Sequence, residues 1–286
     1  MKILSPAKIN LFLETGAVEN KLHRLVSLVD IVGLYDAIEI EESCSDEVIF
    51  HSQWDIPENN TVTKSVALLK SISGIKKSVR VKIFKQIPPA SGLAGGSSNA
   101  AAVLKALVKM WNIPLSAEEL FRIAGRIGSD VPLFVHGKRC VIEGTGGIIR
   151  KDGIPSSPFA YRLFIPPFAV STRDVYSRLD SVNRRGNLTE AGEKIKLLLE
   201  SIECKDIDKM ESLMENRLEE PYFSLWGRAR EVKEATEKLT GKRLFVSGSG
   251  GTLFSVFADS TEAGKEMLPA NAAGWKSLVV ESIRAS

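Results

Sequence analysis

Residues 88–99 read PPASGLAGGSSN and stand between a predicted strand and a predicted helix. Glycine lets the backbone approach an anion closely, because no Cβ intervenes. The free N–H groups at the start of the following helix point to the same place, and the helix dipole favours negative charge there. Three glycines that lead through two serines into an apolar helix predict a phosphate-binding loop. A glycine turn capped by serine is the alternative.

The spacing of this loop differs from three well-known motifs. No Lys follows Gly96, as a Walker loop requires, and the G-x-G-x-x-G spacing of a dinucleotide-binding fold is absent. Residues 95–99 also lack the G-x-S-x-G pattern of a hydrolase nucleophile. Ser97, Ser98 and Asn99 are good N-cap types, and they can donate to phosphate or bind its metal.

Apolar periodicity predicts the elements around the loop. Val79, Val81 and Ile83 alternate in the pattern of a half-buried strand, and residues 100–111 have helical spacing. Further strands are predicted within residues 3–13, 37–42, 47–51, 140–149, 161–166, 244–246 and 252–257.

Terminus signals define further helices. Residues 61–73 form a predicted helix that ends at Gly74. Ser116 begins another helix, in which Glu119 completes a capping box. Helical patterns also lie within residues 187–220 and 231–240. The apolar face of the helix at 61–73 consists of Val62, Val66, Leu69 and Ile72.

Three polar segments are candidates for chemistry. Residues 5–11 carry Lys8 and Asn10, although an edge strand with solvated polar residues has the same pattern. Residues 128–134 carry Asp130, which either caps a helix or acts on an acceptor; a carboxylate beside a lysine could deprotonate a hydroxyl while the lysine holds its developing charge. Residues 246–252 form either a tight hairpin turn or a second anion-facing loop.

Composition bounds the class of protein. The 286 residues are 44% hydrophobic and 26% charged, as in a globular protein of one large or two ordinary domains. The net charge of +3 suits an anionic substrate and is far from a nucleic-acid-binding extreme. The Pro- and Ser-containing segment 151–158 predicts a boundary between domains 1–153 and 154–286.

The cysteines and histidines indicate which cellular compartment and which metal sites to expect. Three cysteines lie far apart without a CxxC pair, which indicates a reducing compartment. The three histidines have no metal-ligand spacing, so a zinc site is not expected. The chain has neither a signal-peptide core nor a run near the ~18 apolar residues of a membrane span. We expect a cytoplasmic monomer or weak homodimer, with a small-molecule substrate and no nucleic-acid or membrane partner.

Six segments, taken in order, resemble the GHMP kinase superfamily of galactokinase, homoserine kinase and mevalonate kinase type. The resemblance spans nearly the whole chain. The glycine segments point to the superfamily, and the first, second and fifth segments point to the subfamily that acts on a cytidine-diphosphate methylerythritol. The segments are 6–11 (PAKINL), 23–28 (HRLVSL), 88–99, 129–134 (SDVPLF), 216–219 (NRLE) and 247–251 (SGSGG).

The resemblance implies a two-domain α+β GHMP kinase fold. Its N-terminal domain would resemble domain 2 of ribosomal protein S5, its C-terminal domain would be ferredoxin-like, and the active site would lie in the cleft between them. The implied reaction is ATP-dependent phosphorylation of the substrate's 2-hydroxyl in non-mevalonate isoprenoid precursor biosynthesis. Mg²⁺ would bridge the ATP phosphates with Ser98 nearby, and no direct protein ligand of the metal is implied.

The resemblance also implies residue roles. Asp130 would be the catalytic base and Lys8 its partner. His23 would read the cytosine edge and Tyr176 would stack on its ring, in a substrate pocket with Asn10, Thr172 and Gly250. Asn60 and Lys85 would lie near the adenosine end of ATP. The rest of the implied ATP site is Pro89, Ser91, Gly92, Leu93, Ala94, Gly95, Gly96, Ser97, Ser98 and Asn99.

The sequence departs from the superfamily pattern at two places. Residues 21–23 read Lys-Leu-His where Gly-Tyr-His is usual, so Leu22 replaces an aromatic expected to sandwich cytosine. Ser91 and Ala94 stand where glycine is commoner, and Ala94 must have a negative φ or carry ~1 kcal/mol of strain. Two alternatives stay open: another superfamily kinase, acting on homoserine or mevalonate, and a non-catalytic RNA-binding module, since the N-terminal domain resembles a ribosomal protein fold.

Overall fold

The computed structural model describes residues 1–19, 22–182, 186–265, 268–269 and 272–283; Lys21, part of the first departure, lies outside them. The chain forms two compact units. The first unit comprises Met1–Ala7, Leu34–Pro89 and Ala94–Lys138, and the second comprises Lys8–Gly33, Ala90–Leu93 and Arg139–Ser286. Units defined by contacts need not coincide with domains defined by sequence. The predicted division between residues 153 and 154 therefore stays a prediction.

Two long strands, β1 (Lys2–Glu19) and β2 (Leu22–Ser43), pair with each other and contribute residues to both units. In the first unit the end of β2 pairs antiparallel with β4 (Ser78–Phe84), from Ala37 opposite Phe84 to Ser43 opposite Ser78. β4 also pairs in parallel with the edge strand β3 (Glu47–His51). Alternate burial along β4 confirms the predicted half-buried strand.

Four helices complete the first unit. They are α1 (Thr61–Ser73), α2 (Gly95–Met110), α3 (Ala117–Ile127) and α4 (Val131–His136). α1 has the predicted bounds and ends at Gly74, whose φ of 71° is the left-handed conformation that glycine favours. Its predicted apolar face is wrong at Ile72, which is 43% exposed, whereas Val62, Val66 and Leu69 are buried.

The second unit contains a hairpin and a separate four-stranded sheet. In the hairpin, β5 (Cys140–Gly144) pairs with β6 (Ile148–Arg150) and with β2. The sheet has the order β10-β7-β9-β8, with neighbours antiparallel. Its strands are β7 (Ala160–Ile165), β8 (Phe245–Val246), β9 (Leu253–Phe257) and β10 (Lys276–Glu281).

The described part of the second unit contains six helices. The main apolar core lies between this sheet and helices α5, α8 and α9, and it includes Val175, Tyr222 and Val232. The helices are α5 (Thr172–Ser181), α6 (Leu188–Cys204), α7 (Ile207–Leu213), α8 (Glu219–Leu225), α9 (Gly227–Thr240) and α10 (Ser260–Ala263).

A buried carboxylate ties distant segments of the second unit together. Asp30 Oδ2 accepts hydrogen bonds from Arg139 (2.6 Å), the Tyr161 hydroxyl (2.7 Å) and Ser282 (2.8 Å). Burial raises the pKa of Tyr161 well above its usual value, so the phenol stays a neutral donor to Asp30.

Several elements were not predicted. The first half of β2 is a nearly continuous buried run without strict alternation, and α4, α5, α8, α10 and β10 are short. Short or uniformly apolar segments carry little periodic signal. Among the described residues, none of the helices combines the length and apolarity that crossing a membrane requires.

The three cysteines are free, and their surroundings predict different reactivities. Cys44 and Cys204 are exposed, whereas burial raises the pKa of the Cys140 thiol to about 12. At pH 8 only ~1 in 10⁴ of the Cys140 thiols would be ionised, and the thiolate is the nucleophile. Iodoacetamide should therefore label two cysteines of the native protein and three in urea, as counted by peptide mass spectrometry. Native labelling of Cys140 as fast as the other two would contradict this burial.

Candidate active site

The first half of the glycine-rich loop, Ala90–Leu93, is fixed through its backbone carbonyls. Each carbonyl accepts one hydrogen bond from a group of the second unit. In a trans peptide the N–H points opposite to the C=O, so the N–H groups of residues 91–94 face away from these partners. The bonds run from Val170 N to Ala90 O (2.9 Å), Thr252 N to Ser91 O (3.0 Å), Ser247 Oγ to Gly92 O (3.0 Å) and Lys8 N to Leu93 O (3.1 Å).

Gly92 is the position in this half where only glycine fits. Its φ is 80°, and a Cβ there would lie 2.1 Å from the Ser247 carbonyl oxygen and 2.8 Å from the Gly250 carbonyl oxygen. The glycine-rich loop therefore packs backbone to backbone against the second glycine segment, residues 247–251.

The second half of the loop begins α2 inside the first unit. α2 starts at Gly95, five residues before the predicted start, with Ala94 as its N-cap at φ 55° and ψ 32°. Of the two predicted alternatives for Ala94, the negative φ is not adopted, and the residue carries the ~1 kcal/mol of strain expected for a left-handed conformation. At Gly95 a Cβ would lie 2.8 Å from Ile87 Cγ2, so the helix start packs directly on the segment that enters the loop.

Ser98 is the best-placed side chain of the loop for a ligand. It is 1% exposed, and its hydroxyl is buried without a hydrogen-bond partner among the described residues. A buried hydroxyl without a partner costs free energy, which a phosphate oxygen or a metal ion would recover. A hard oxygen donor of this kind fits Mg²⁺. Within the described ranges, no three His, Cys, Asp or Glu residues form a cluster that could hold a metal.

The second glycine segment follows β8 and lies beside Lys8. A Cβ on Gly248 would be 3.1 Å from Lys8 Nζ and 3.3 Å from Asn10 Oδ1. The Lys8 amine donates to Asn10 Oδ1, and Asn10 donates to Ser27 Oγ at 2.8 Å. Lys8 and Asn10 are each only 6% exposed, so the solvated edge strand of the alternative interpretation is not what forms here.

Asn216 holds this second segment in place. Its amide nitrogen donates to the carbonyls of Val246 (2.7 Å) and Gly248 (2.8 Å). The neighbouring Arg217 forms a two-pronged ion pair with Glu14, with both contacts at 2.6 Å. Fixing Gly248 also fixes the backbone that faces the Lys8 amine.

One face of α5 carries three polar or aromatic residues at a spacing of four. Thr172 Oγ1 lies 2.9 Å from Ser249 Oγ in the second glycine segment. The Tyr176 ring is 5.0 Å from the His23 ring, and Asp180 Oδ1 is 3.1 Å from His23 Nε2. Three predicted substrate residues therefore lie in one unit near α5. Leu22 is 55% exposed.

Asp130 occupies the N-cap position of α4, but its side chain makes no capping hydrogen bond. Asp130 as a residue is half-buried. A residue whose role was to cap the helix would accept from the N–H of the second or third helical residue. The local geometry therefore does not support the capping alternative.

Two residues predicted near the adenosine end of ATP have their side chains engaged elsewhere. Asn60 Oδ1 accepts from Val62 N (2.9 Å) and Thr63 N (3.1 Å), which caps α1. The Lys85 amine bonds to Asp36 and Asn99, and burial lowers its pKa. At these two positions, mainly the backbone groups are left to contact a nucleotide.

Sequence reasoning missed Asp36 and the role of the Asn216 amide. Asp36 is fully buried within β2. A lone acid in a segment that is otherwise apolar, Tyr35–Ile38, was the available signal, because such a charge is buried only when it is paired.

Two family models match the chain. The model for the GHMP kinases N terminal domain matches residues 60–138, and that for the GHMP kinases C terminal matches residues 195–273. The chain therefore belongs to the GHMP kinases.

Individual relatives give a finer likeness. The chain is 35% identical over 270 residues to a 4-diphosphocytidyl-2-C-methyl-D-erythritol kinase of Clostridium perfringens, covering 92% of this chain and 91% of the relative. It is 34% identical over 271 residues to the kinase of that name from Clostridioides difficile, covering 92% and 88%.

Solved structures agree with the sequence relatives. The crystal structure of a 4-(cytidine 5'-diphospho)-2C-methyl-D-erythritol kinase matches with a TM-score of 0.77 and 27% identity, covering 98% of each chain. Homoserine kinase from Cytophaga hutchinsonii shares the fold, with a TM-score of 0.75 at 18% identity. The predicted α+β two-domain GHMP kinase fold is confirmed.

The close approach at Gly92 yields a prediction about stability. Gly92→Ala should lower the free energy of unfolding by about 2–5 kcal/mol, because left-handed strain adds to a steric clash. Gly74→Ala is the matched control, since Gly74 has φ 71° and nothing within 4 Å of its Cβ position. The control should lose only ~1 kcal/mol. Equal losses in urea unfolding would show that Gly92 has room for a methyl group.

Proposed function

We propose that this chain is an ATP-dependent kinase that phosphorylates the 2-hydroxyl of 4-diphosphocytidyl-2-C-methyl-D-erythritol, in the non-mevalonate route to isoprenoid precursors. The observation that carries the proposal is 35% identity to a kinase of that name across 92% of the chain. Two features support the family's use of ATP in this sequence. The carbonyls of Ala90–Leu93 are occupied, and the Ser98 hydroxyl has no hydrogen-bond partner among the residues that the structure describes.

The loop would bind the ATP phosphates through backbone N–H groups and the start of α2. The N–H side of residues 91–94 is turned away from the loop's own anchors, and Gly95 and Gly96 open the helix. Ser98 would hold Mg²⁺ or a phosphate oxygen. The metal, when bound, would neutralise charge on the phosphates.

Asp130 and Lys8 would act on the acceptor hydroxyl. Phosphoryl transfer has a loose transition state, so a carboxylate has mainly to orient the hydroxyl and receive its proton. An ammonium group then stabilises the alkoxide character that develops on that oxygen. The absence of a capping bond at Asp130 and the burial of Lys8 beside Gly248 support these roles.

The cytidine end of the substrate would lie along α5. His23 would read the cytosine edge and Tyr176 would stack on the ring, as their 5.0 Å separation allows. Thr172, Asn10 and Gly250 would line the same pocket. Leu22 has no aromatic face, so base stacking would rest on Tyr176.

The cellular setting belongs to the proposal as well. Exposed free thiols at Cys44 and Cys204 are typical of a reducing compartment, which supports a cytoplasmic enzyme. We propose further that the protein is a monomer or weak homodimer that binds neither nucleic acid nor membranes. Its net charge of +3 gives little attraction for either.

A panel of acceptors tests the proposed substrate. With Mg²⁺ and ATP, coupled ADP release should be fast with 4-diphosphocytidyl-2-C-methyl-D-erythritol and near background with homoserine and mevalonate. A preference for either of those alcohols would support the other kinase type instead. Steeply salt-dependent RNA binding without ATP turnover would support the binding-module alternative.

The role of Asp130 has a separate test. Asp130→Ala should lower kcat by about 10²–10⁴-fold, because the acceptor loses its base, while a non-hydrolysable ATP analogue still binds. Asp206→Ala is a matched control, since Asp206 caps α7 through a 3.0 Å bond from Lys209 N. It should cost ~1 kcal/mol of stability and leave kcat unchanged. A near-native kcat in Asp130→Ala would refute the role.

A further inference from the structure

The buried carboxylate of Asp36 has all its acceptor positions occupied. One oxygen accepts from the backbone N–H groups of Gln86 (2.7 Å) and Ile87 (2.9 Å). The other accepts from the Lys85 amine and from Asn99 Nδ2, the latter at 2.8 Å. The side chains of Lys85 and Asp36 are 3% and 0% exposed.

These partners belong to the two ends of the glycine-rich loop. Residues 85–87 leave β4 and lead into the loop, and Asn99 lies in the second turn of α2, where the chain leaves it. Asn99 also accepts from Lys85 (3.2 Å) and donates to Ser5 Oγ (2.6 Å). Asp36 therefore joins the entry and the exit of the loop within the first unit.

The contact at Gly95 shows how closely this link controls the loop. A Cβ at Gly95 would lie 2.8 Å from Ile87 and 3.1 Å from the Lys85 amine. The first residue of α2 thus rests on the residues that Asp36 holds. A small displacement of Lys85 or Ile87 would move the N–H groups at the helix start.

A contribution to the stability of the fold is a weak explanation for the buried ion pair of Asp36 and Lys85. Taking two charges out of water costs several kcal/mol each, and an apolar pair of similar volume is often as stable. Burial lowers the pKa of Lys85 despite its carboxylate partner, which reflects that desolvation cost. Four directed hydrogen bonds to one carboxylate fix the relative positions of the groups that donate them.

We propose that Asp36 and Lys85 are positioning residues for the phosphate-binding loop: they set the distance between its two ends and contact neither ATP nor the acceptor through their side chains. The inference rests on the proposed ATP site. It assigns the Lys85 amine to the protein's own scaffold instead of to the adenosine end of the nucleotide.

The test replaces the ion pair without leaving a lone buried charge. Asp36→Leu/Lys85→Met frees both ends of the loop. Its Kd for a non-hydrolysable ATP analogue with Mg²⁺ should rise about 10- to 100-fold, because small misplacements of binding groups have effects of that size. The KM for the acceptor should change less than ~2-fold, since neither substituted residue is among the predicted acceptor-binding residues.

A second double variant, Asp36→Asn/Lys85→Met, keeps one carbonyl oxygen for the N–H groups of Gln86 and Ile87. It should recover part of the lost ATP affinity. If the Leu/Met variant does not fold, the Asn/Met variant alone should still bind the analogue more weakly than wild type. Wild-type affinity in either folded variant would overturn the inference.

Tyr161→Phe is the control for loss of stability alone. It removes one hydrogen bond to the buried Asp30 in the second unit, so it should lower Tm without changing the Kd for the analogue. The wild-type titration tests the proposed function separately. If wild type does not bind the analogue, the ATP site itself is wrong; if wild type and both variants bind equally, only the positioning role is wrong.

Discussion

Hydrogen bonds to four consecutive backbone carbonyls, from Ala90 to Leu93, decide which way the glycine-rich loop faces. A glycine-rich segment has many accessible conformations, and ordering each residue costs about 1–2 kcal/mol. Bonds from Val170, Thr252, Ser247 and Lys8 select one of them. The peptide N–H groups are then presented on the opposite side, which is the arrangement an anion requires.

Small residues make this arrangement sterically possible, and two alanines with left-handed φ, Ala90 (52°) and Ala94 (55°), carry a cost. Gly92 approaches the Ser247 carbonyl more closely than any side chain would permit. Ala94 adopts a left-handed conformation at ~1 kcal/mol of strain, and α2 begins directly after it. Strain of this kind persists where the surrounding structure over-determines the backbone, as it does between the bonded carbonyls and the helix start.

The polar residues of the candidate site fall into two groups that differ in their hydrogen bonds. Asn60, Lys85 and Asn99 have their side chains occupied within the protein, so they shape the loop and the first turn of α1. The Ser98 hydroxyl has no partner in the described part of the chain, and Asp130 makes no capping bond. Family likeness alone groups all of these as predicted site residues, whereas their hydrogen bonds distinguish the side chains that are engaged within the protein from those proposed to act on a ligand.

By itself the sequence determined what depends on near neighbours. The capped ends of α1 and α3, the alternation along β4 and the two glycine segments are local patterns, and the family followed from their order. The tertiary structure decided what depends on distant contacts. These features are the exposure of Ile72, the early start of α2, and two short helices: α4, which begins after Asp130, and α5, which carries Tyr176. It also decided the partners of Asp36, which lie 49 to 63 positions along the chain. Periodicity records which face of an element is apolar, but it contains no information on which remote group a buried charge will meet.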